Sequence, residues 1–484
     1  MLYMINDNSF VRVFNSEVGF IENKSNFMVH VTDKSGACFL RVLSRKPKTE
    51  EDLIQELSKY FFDVDRDMLR KDMCEFYQEL EADGFLSSGN TVEEINRKNF
   101  SFSYAQLTDS NRAIYSYSPP NDKKISSQDY LDSYFTKNPT LVSFQVEITS
   151  RCNERCIHCY IPHEDKLYDI EPALYYDVIK QCCEMGLLSL TISGGEPLIN
   201  DHFLDYLRYA KGLDLYVILL SNLVNLNNEI IAELKKPPLS SVQVSLYSMK
   251  PEIHDSITQL QGSFRQTMES ITKLIENDVP LQISCPIMKQ NQSCFGDVLM
   301  WAKSNKVHID NNYLLMAKTN HATDNLEHRL DFDEMAMFIN NQIIYDKDYQ
   351  KRIVENIGAP KNITDGNNSI CGACLTTACM VVNGDVYPCA GWKDYIVGNA
   401  KSSSLKEIWE YSPKVLYLRG LRQKDFPKCL ACEDRGFCVM CMARNANENH
   451  DGDLLRIPDI FCDAAAQNRK IVREWEKKLI SDLN

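Results

Sequence analysis

The sequence predicts an α/β chain whose centre is a partial (β/α)6 barrel of the TIM type. Two observations carry this. Between residues 140 and 347, apolar β-branched runs alternate with amphipathic helical ones, the pattern of a parallel sheet with helical crossovers. There are about six such units, short of the eight that close a full barrel. A third observation concerns what surrounds the core: 18 cysteines, 12 of them in two dense groups. In a reducing compartment such groups read as metal sites rather than disulfides.

The 484 residues leave room for about three domains. Hydrophobic residues make up 44% and charged residues 25%, an ordinary globular composition. With 53 basic against 67 acidic residues the net charge is −14, and no Lys/Arg run offsets it, which argues against a nucleic-acid partner. The start, Met1 to Val13, lacks the basic stretch and apolar run of a secretory signal. Nowhere do about 18 apolar residues follow one another, so a cytoplasmic, membrane-free protein is expected.

Residues 1–90 read as a small α+β unit of three strands and three helices. Apolar runs cover Phe10 to Phe14 and Phe27 to Val31; a helix is predicted to carry Met68, Leu69, Met73, Phe76, Tyr77 and Leu80 on one face, with Gly84 as its stop. Residues 91–139 turn polar and read as a linker with at most a short helix. The barrel strands are predicted at 142–148, 189–192, 215–220, 242–246, 281–286 and 308–314, with helices over 170–185, 264–276 and 294–304 between them. Residues 348–484 form the cysteine-rich end.

Directly after the first barrel strand stands Cys152-Asn-Glu-Arg-Cys156-Ile-His-Cys159. Three sulfurs on one loop surround a single centre and leave a fourth position without a protein ligand. Structural zinc would call for a closed tetrahedral set, and His158 adjoins Cys159 too closely to share its metal. An iron–sulfur cluster with one open iron suits the spacing better.

This motif, with Tyr160 next to it, resembles that of the radical S-adenosylmethionine (SAM) superfamily, and the resemblance spans residues 141 to about 320. It extends to Ser193-Gly194-Gly195-Glu196-Pro197 after the second strand, which is similar to that family's Gly-Gly-Glu motif. The resemblance implies that the glycines admit the methionine amino group of SAM and that Glu196 accepts its hydrogen bond. Asn222 and Ser245, ending the third and fourth strands, match positions that touch the cofactor's ribose or carboxylate. Thr258 stands where many relatives carry an Arg. A 5′-deoxyadenosyl radical made at the first cluster is the implied hydrogen abstractor, and no catalytic residue beyond the cluster is identified. Glu164 and Asp165 near the motif read equally as solvated loop.

The terminal array comprises Cys371, Cys374, Cys379, Cys389, Cys429, Cys432, Cys438, Cys441 and Cys462. Spacing alone also admits a double zinc ribbon. The array resembles the SPASM extension of radical SAM enzymes, except that Cys438 and Cys441 are two residues apart where that pattern has three. The resemblance implies two auxiliary [4Fe–4S] clusters and hence three in all, beside SAM. The outer cluster would take Cys429, Cys432, Cys438 and Cys462; the inner one Cys371, Cys389 and Cys441, with Cys374 or Cys379 completing it. The remaining Cys38, Cys74, Cys182, Cys183, Cys285 and Cys294 sit among apolar neighbours and read as small buried hydrophobes.

The N-terminal unit resembles the PqqD-type peptide-recognition domain, a winged-helix-like fold, through Phe39-Leu-Arg-Val-Leu, Thr49-Glu-Glu-Asp-Leu-Ile, Asp72 with Phe76, and Leu80-Glu-Ala-Asp-Gly-Phe-Leu. It implies that a strand edge and the adjoining helix hold the leader of a ribosomally made precursor peptide. Together the three parts resemble the sactipeptide and ranthipeptide maturases, which join a cysteine sulfur to carbon and draw electrons from a reductant such as flavodoxin or ferredoxin. Carbon–carbon crosslinking or another peptide oxidation is the alternative chemistry, and a non-catalytic electron-transfer or peptide-carrier protein the alternative class.

Overall fold

The computed structural model describes residues 1–99, 102–107, 127–162, 168–355, 366–438 and 440–483. Glu164 and Asp165 lie outside the described residues. The core strands are β7 (Ser143–Thr149), β8 (Ser189–Gly194), β9 (Tyr216–Ser221), β10 (Ser240–Ser245), β11 (Leu281–Pro286) and β12 (His308–Asn312), preceded by six N-terminal strands described below. They pair parallel in sequence order, each through its neighbour. Every one lies within two residues of its expected position. Helices Pro172–Glu184, Phe203–Gly212, Asn228–Lys235, Ser263–Glu276 and Phe295–Ser304 cover the outer face. Val146, Ile192, Leu219, Val244 and Ile283 are buried on the strands, and Ile179, Leu207, Leu234, Ile271 and Val298 on the helices that cover them. The mostly parallel central sheet fits the expected α/β TIM-type core.

The sheet does not end at β7. Strand β13 (Thr377–Met380), from the cysteine-rich end, pairs parallel with β7, from Thr377 opposite Ser143 to Met380 opposite Val146. Strands β14 (Asp385–Tyr387) and β15 (Gly398–Asn399) follow antiparallel and complete nine strands. Helix Phe332–Tyr345 packs against the terminal helix Asp459–Leu483, where Trp475 donates to Asn340 at 2.8 Å. Among the described residues, no helix is long and apolar enough to cross a membrane.

The N-terminal unit holds six strands rather than the expected three. β1 (Leu2–Ile5), β5 (Lys48–Thr49) and β6 (Leu86–Gly89) form one small antiparallel sheet; β2 (Ser9–Phe14), β3 (Val18–Asn23) and β4 (Val29–Thr32) form another. The two- and four-residue strands are too short to show a period, so their pairing comes from the tertiary fold. The three helices Lys34–Val42, Glu50–Leu57 and Arg66–Ala82 are as expected, the third followed by Gly84 at φ +78°. Leu69, Met73, Tyr77 and Leu80 of that helix are buried; Met68, expected on the same face, is exposed.

Among the described residues, the stretch 91–139 carries two α-helices, Val92–Lys98 and Ser127–Lys137, where at most one short helix was expected. The first is capped by Thr91 and buries Ile95; the second buries Leu131 against Phe10, Phe14 and Leu188. The N-terminal unit sits under the barrel, at the starts of its strands. Arg12 donates to the carbonyls of Leu187 at 2.6 Å and Asp214 at 2.9 Å, Arg45 pairs with the Asp214 carboxylate, and Phe10 meets Tyr216 edge to face.

Candidate active site and cluster cysteines

The three-cysteine loop leaves the C-terminal end of β7, the end at which barrels of this type carry their chemistry. Its position is set by backbone contacts. Gly195 N–H donates to Thr149 O at 2.8 Å and Glu196 N–H to Arg151 O at 2.9 Å; Arg155 and Ile157 N–H donate to Thr258 O and Ile257 O, both at 3.0 Å. The two glycines are needed for this approach. A Cβ on Gly194, at φ +147°, would lie 2.1 Å from Thr149 O, and one on Gly195 would lie 2.1 Å from Arg151 O. Gly194 and Gly195 thus admit the backbone of the cysteine loop, a role distinct from the implied one of admitting the cofactor.

Glu196 is buried, and its carboxylate already accepts from Leu198 N–H (2.9 Å), Ser221 Oγ (2.8 Å) and Asn222 N–H (2.7 Å). Burial pushes its pKa up to about 7 against the pull of those donors. With roughly four acceptor sites on a carboxylate, one place remains for a further donor. Glu196 therefore ties β8 to β9 before it meets any cofactor. Ser193 lies just ahead of this pair at the end of β8. Asn222 donates from Nδ2 to Asn153 Oδ1 at 2.8 Å, leaving Asn153 Nδ2 buried beside Cys152 without a partner among the described residues. Asn222 thus acts on Asn153, a residue the sequence reading passed over.

Ser245 ends β10 and hydrogen-bonds Tyr247, whose hydroxyl stands 4.0 Å from Cys156 Sγ. Burial is the main force holding the Cys156 thiol well above its ordinary range, with Glu154 and the other two cysteines adding to it. Thr258 is buried and bonded to Ser263 at 2.7 Å; its carbonyl, rather than its side chain, serves the cysteine loop.

Tyr160 joins this site to the second cysteine region. Its carbonyl accepts from Thr319 N–H at 2.9 Å. Its hydroxyl is held protonated by burial first, then by the proximity of Glu147, Cys159, Cys379 and Cys389. Glu147 on β7 is buried and pairs with Lys393 at 2.8 Å, four residues past Cys389. One buried ion pair therefore bridges the barrel and the C-terminal region.

The C-terminal cysteines fall into two groups. Cys389 is pushed up to about 12 by burial, then by Cys441, Cys371 and Cys374; Cys371 in turn feels Cys441. Cys429 is pushed up to about 11 by burial, then by Cys438, Cys462 and Cys432. Cys379 lies fully buried on β13 between Glu147 and Cys389. Among the described residues, no three His, Cys, Asp or Glu side chains stand close enough to hold a single metal ion. A four-iron cluster takes one thiolate per iron and so needs a wider set than a single ion does. Of the six scattered cysteines, Cys182, Cys285 and Cys294 are buried as expected, while Cys38, Cys74 and Cys183 are partly exposed.

Residues 146–302 match the model of the Radical SAM superfamily, and residues 365–433 match SPASM, an iron-sulfur cluster-binding domain. The chain accordingly carries a radical SAM domain followed by a SPASM domain, and these domains imply [4Fe–4S] clusters and SAM.

Its relatives act in several settings. It is 26% identical over 331 residues to the AdoMet-dependent heme synthase of Methanosarcina barkeri (strain Fusaro / DSM 804), covering 64% of this chain and 93% of that one. It is 24% identical over 317 residues to the antilisterial bacteriocin subtilosin biosynthesis protein AlbA of Bacillus subtilis (strain 168), covering 63% of this chain and 67% of that one. The fold is similar to that of Streptococcus suis SuiB bound to the precursor peptide SuiA, with a TM-score of 0.63, 15% identity, and 94% and 100% of the two chains covered.

Proposed function

We propose that this enzyme modifies a ribosomally made precursor peptide and that it closes thioether bonds between cysteine sulfur and carbon. The observation that carries the peptide reading is the edge of the N-terminal unit. Strand β4 is the outermost strand of its sheet and pairs only with β3 among the described residues. Beside it runs the helix Arg66–Ala82, with His30 of β4 edge to face with Phe76 at 5.7 Å. Phe62 and Met68 stand exposed near the start of that helix. An extended leader adding to β4 would find backbone partners along the strand and apolar side chains beside it. Similarity to AlbA, named for bacteriocin biosynthesis, and to SuiB, solved with a precursor peptide, favours the same substrate class.

Cys152, Cys156 and Cys159 would hold the first of three [4Fe–4S] clusters. Cys371, Cys374, Cys389 and Cys441 would hold the inner auxiliary cluster, and Cys429, Cys432, Cys438 and Cys462 the outer one. Cys374 rather than Cys379 is favoured for the inner set because it stands by Cys371 as well as Cys389, whereas Cys379 stands by Cys389 and the buried Glu147. Asn153 Nδ2 and the remaining acceptor site on Glu196 are the polar groups offered to SAM. When bound, SAM and the reduced first cluster supply the radical that removes hydrogen from the peptide.

Co-expression with candidate cysteine-bearing precursor peptides tests the reading. Loss of two hydrogens per crosslinked cysteine, with thiols closed to alkylation, is the expected product. The same loss with alkylatable thiols would move the reading to carbon–carbon crosslinking. Failure to form 5′-deoxyadenosine under reducing conditions would leave a carrier.

A further inference from the structure

Closing a thioether from a thiol releases a proton, and the reaction as proposed above names no group to take it. One side-chain pair at the mouth of the barrel has the required form. His321 Nε2 lies 3.0 Å from Asp394 Oδ2, while His321 Nδ1 is buried with no hydrogen-bond partner among the described residues. The two residues come from different domains: His321 from the loop after β12, Asp394 from the segment that follows Cys389.

That loop is fastened to the cysteine motif. Thr319 N–H donates to Tyr160 O, and Asn325 Nδ2 donates to His158 O at 3.3 Å. On the other side, Lys393 next to Asp394 is fixed by Glu147 of β7. A carboxylate accepting from Nε2–H leaves Nδ1 as the lone-pair nitrogen, the arrangement in which a histidine is ready to receive a proton.

We propose that His321 is the general base for bond closure and that Asp394 is its positioning residue. The inference rests on the peptide-thioether reading. In the step, the substrate S–H gives its proton to His321 Nδ1, and the sulfur pair attacks the carbon already stripped of one hydrogen. The new C–S bond keeps two of the three electrons, and the third passes to an oxidised auxiliary iron–sulfur cluster. The proton then leaves from the imidazolium to solvent.

The surrounding charges are few. Lys318 on the same loop is paired with Asp324 at 2.7 Å. Against the dyad packs the loop 449–456, where a Cβ on Gly452 would lie 3.5 Å from Asp394 Oδ2 and 3.8 Å from His321 Cε1. Its carboxylates Asp451 and Asp453 both turn to Arg456, and it also carries His450.

The test uses the full reconstituted chain, a cysteine-bearing precursor peptide that the co-expression shows to be converted, and two variants, His321→Gln and Asp394→Asn, with iron content as the check on folding. Wild-type conversion of the peptide to the alkylation-resistant product establishes the underlying reading by itself. Given that, both variants should form 5′-deoxyadenosine at the wild-type rate but yield at least tenfold less crosslink at pH 7. The deficit should shrink as pH rises past the ordinary thiol pKa of about 8.5, where the substrate ionises unaided. Equal loss of cleavage and crosslink at every pH would make the dyad a structural strap and overturn the proposal. Unchanged product yield, or a wild-type product whose thiols remain alkylatable, would overturn it as well.

Discussion

Replacing Gly195 by Ala strikes the contact that seats the cysteine loop. The added methyl would stand 2.1 Å from Arg151 O and 2.7 Å from Ser150 O, both backbone atoms that no side-chain rotation can move. Overpacking of this kind costs about 1–3 kcal/mol. Relief by shifting the loop gives up the bonds from Gly195 N–H and Glu196 N–H, each worth about 1 kcal/mol. Either way the cost, about 1–3 kcal/mol, falls on a barrel of some 200 residues and translates to a drop of roughly 2–12 °C in melting temperature. Gly212→Ala is the control, since a Cβ there meets nothing within 4 Å. The assay is thermal melting of the anaerobically purified chain together with its iron content, which should fall by about four atoms as the first cluster is lost. A Gly195→Ala chain that melts with the control and keeps its iron would refute the reasoning.

Other outcomes follow from separate parts of the molecule. Converting Cys152, Cys156 and Cys159 to Ala should remove about four irons and abolish 5′-deoxyadenosine; zinc in place of iron in the unaltered chain would sink the assignment. Lys393→Met leaves Glu147 buried without its cation and should cost about 3–5 kcal/mol, read by thermal melting, with Glu147→Leu added in the double variant restoring most of it. His254 is buried, its pKa lowered to about 4 chiefly by burial, with Asp255 pulling the other way, while Nδ1 accepts from Tyr247 N–H at 3.3 Å. The unfolded imidazole binds its proton near 6.5, so the unfolded state gains protons first as pH falls. Stability should therefore decline between pH 6.5 and 4 by up to about 3 kcal/mol, and His254→Gln should flatten that slope in urea titrations. Phe62→Asp with Met68→Asp alters exposed side chains only, so melting should hold within about 0.5 kcal/mol while leader-peptide affinity drops at least tenfold by fluorescence anisotropy.

The barrel was legible because its strands are continuous apolar runs between amphipathic helices, and each landed within two residues. The cysteine motifs were legible because their spacing is local. What stayed hidden was non-local. Nothing in Thr377 to Met380 announces a partner more than 230 residues earlier in β7, and the two short N-terminal sheets carry too few residues to display alternation. The same holds for the site: Gly194 and Gly195 were found, but the atoms they accommodate belong to Thr149 and Arg151. Asn153 stands inside the cysteine motif, but its bond to Asn222, the approach of Tyr247 to Cys156 and the His321–Asp394 pair exist only in the folded chain.

The annealing of β13 onto β7 bears on how the protein could be cut or reassembled. A version shortened after residue 355 would strip the hydrogen-bonding rim from the first barrel strand, creating a ready template for intermolecular pairing. The same seam sets Cys379 opposite Gln145 of β7, so the cysteine-rich end is fastened to the barrel by a backbone ladder and not by loops alone.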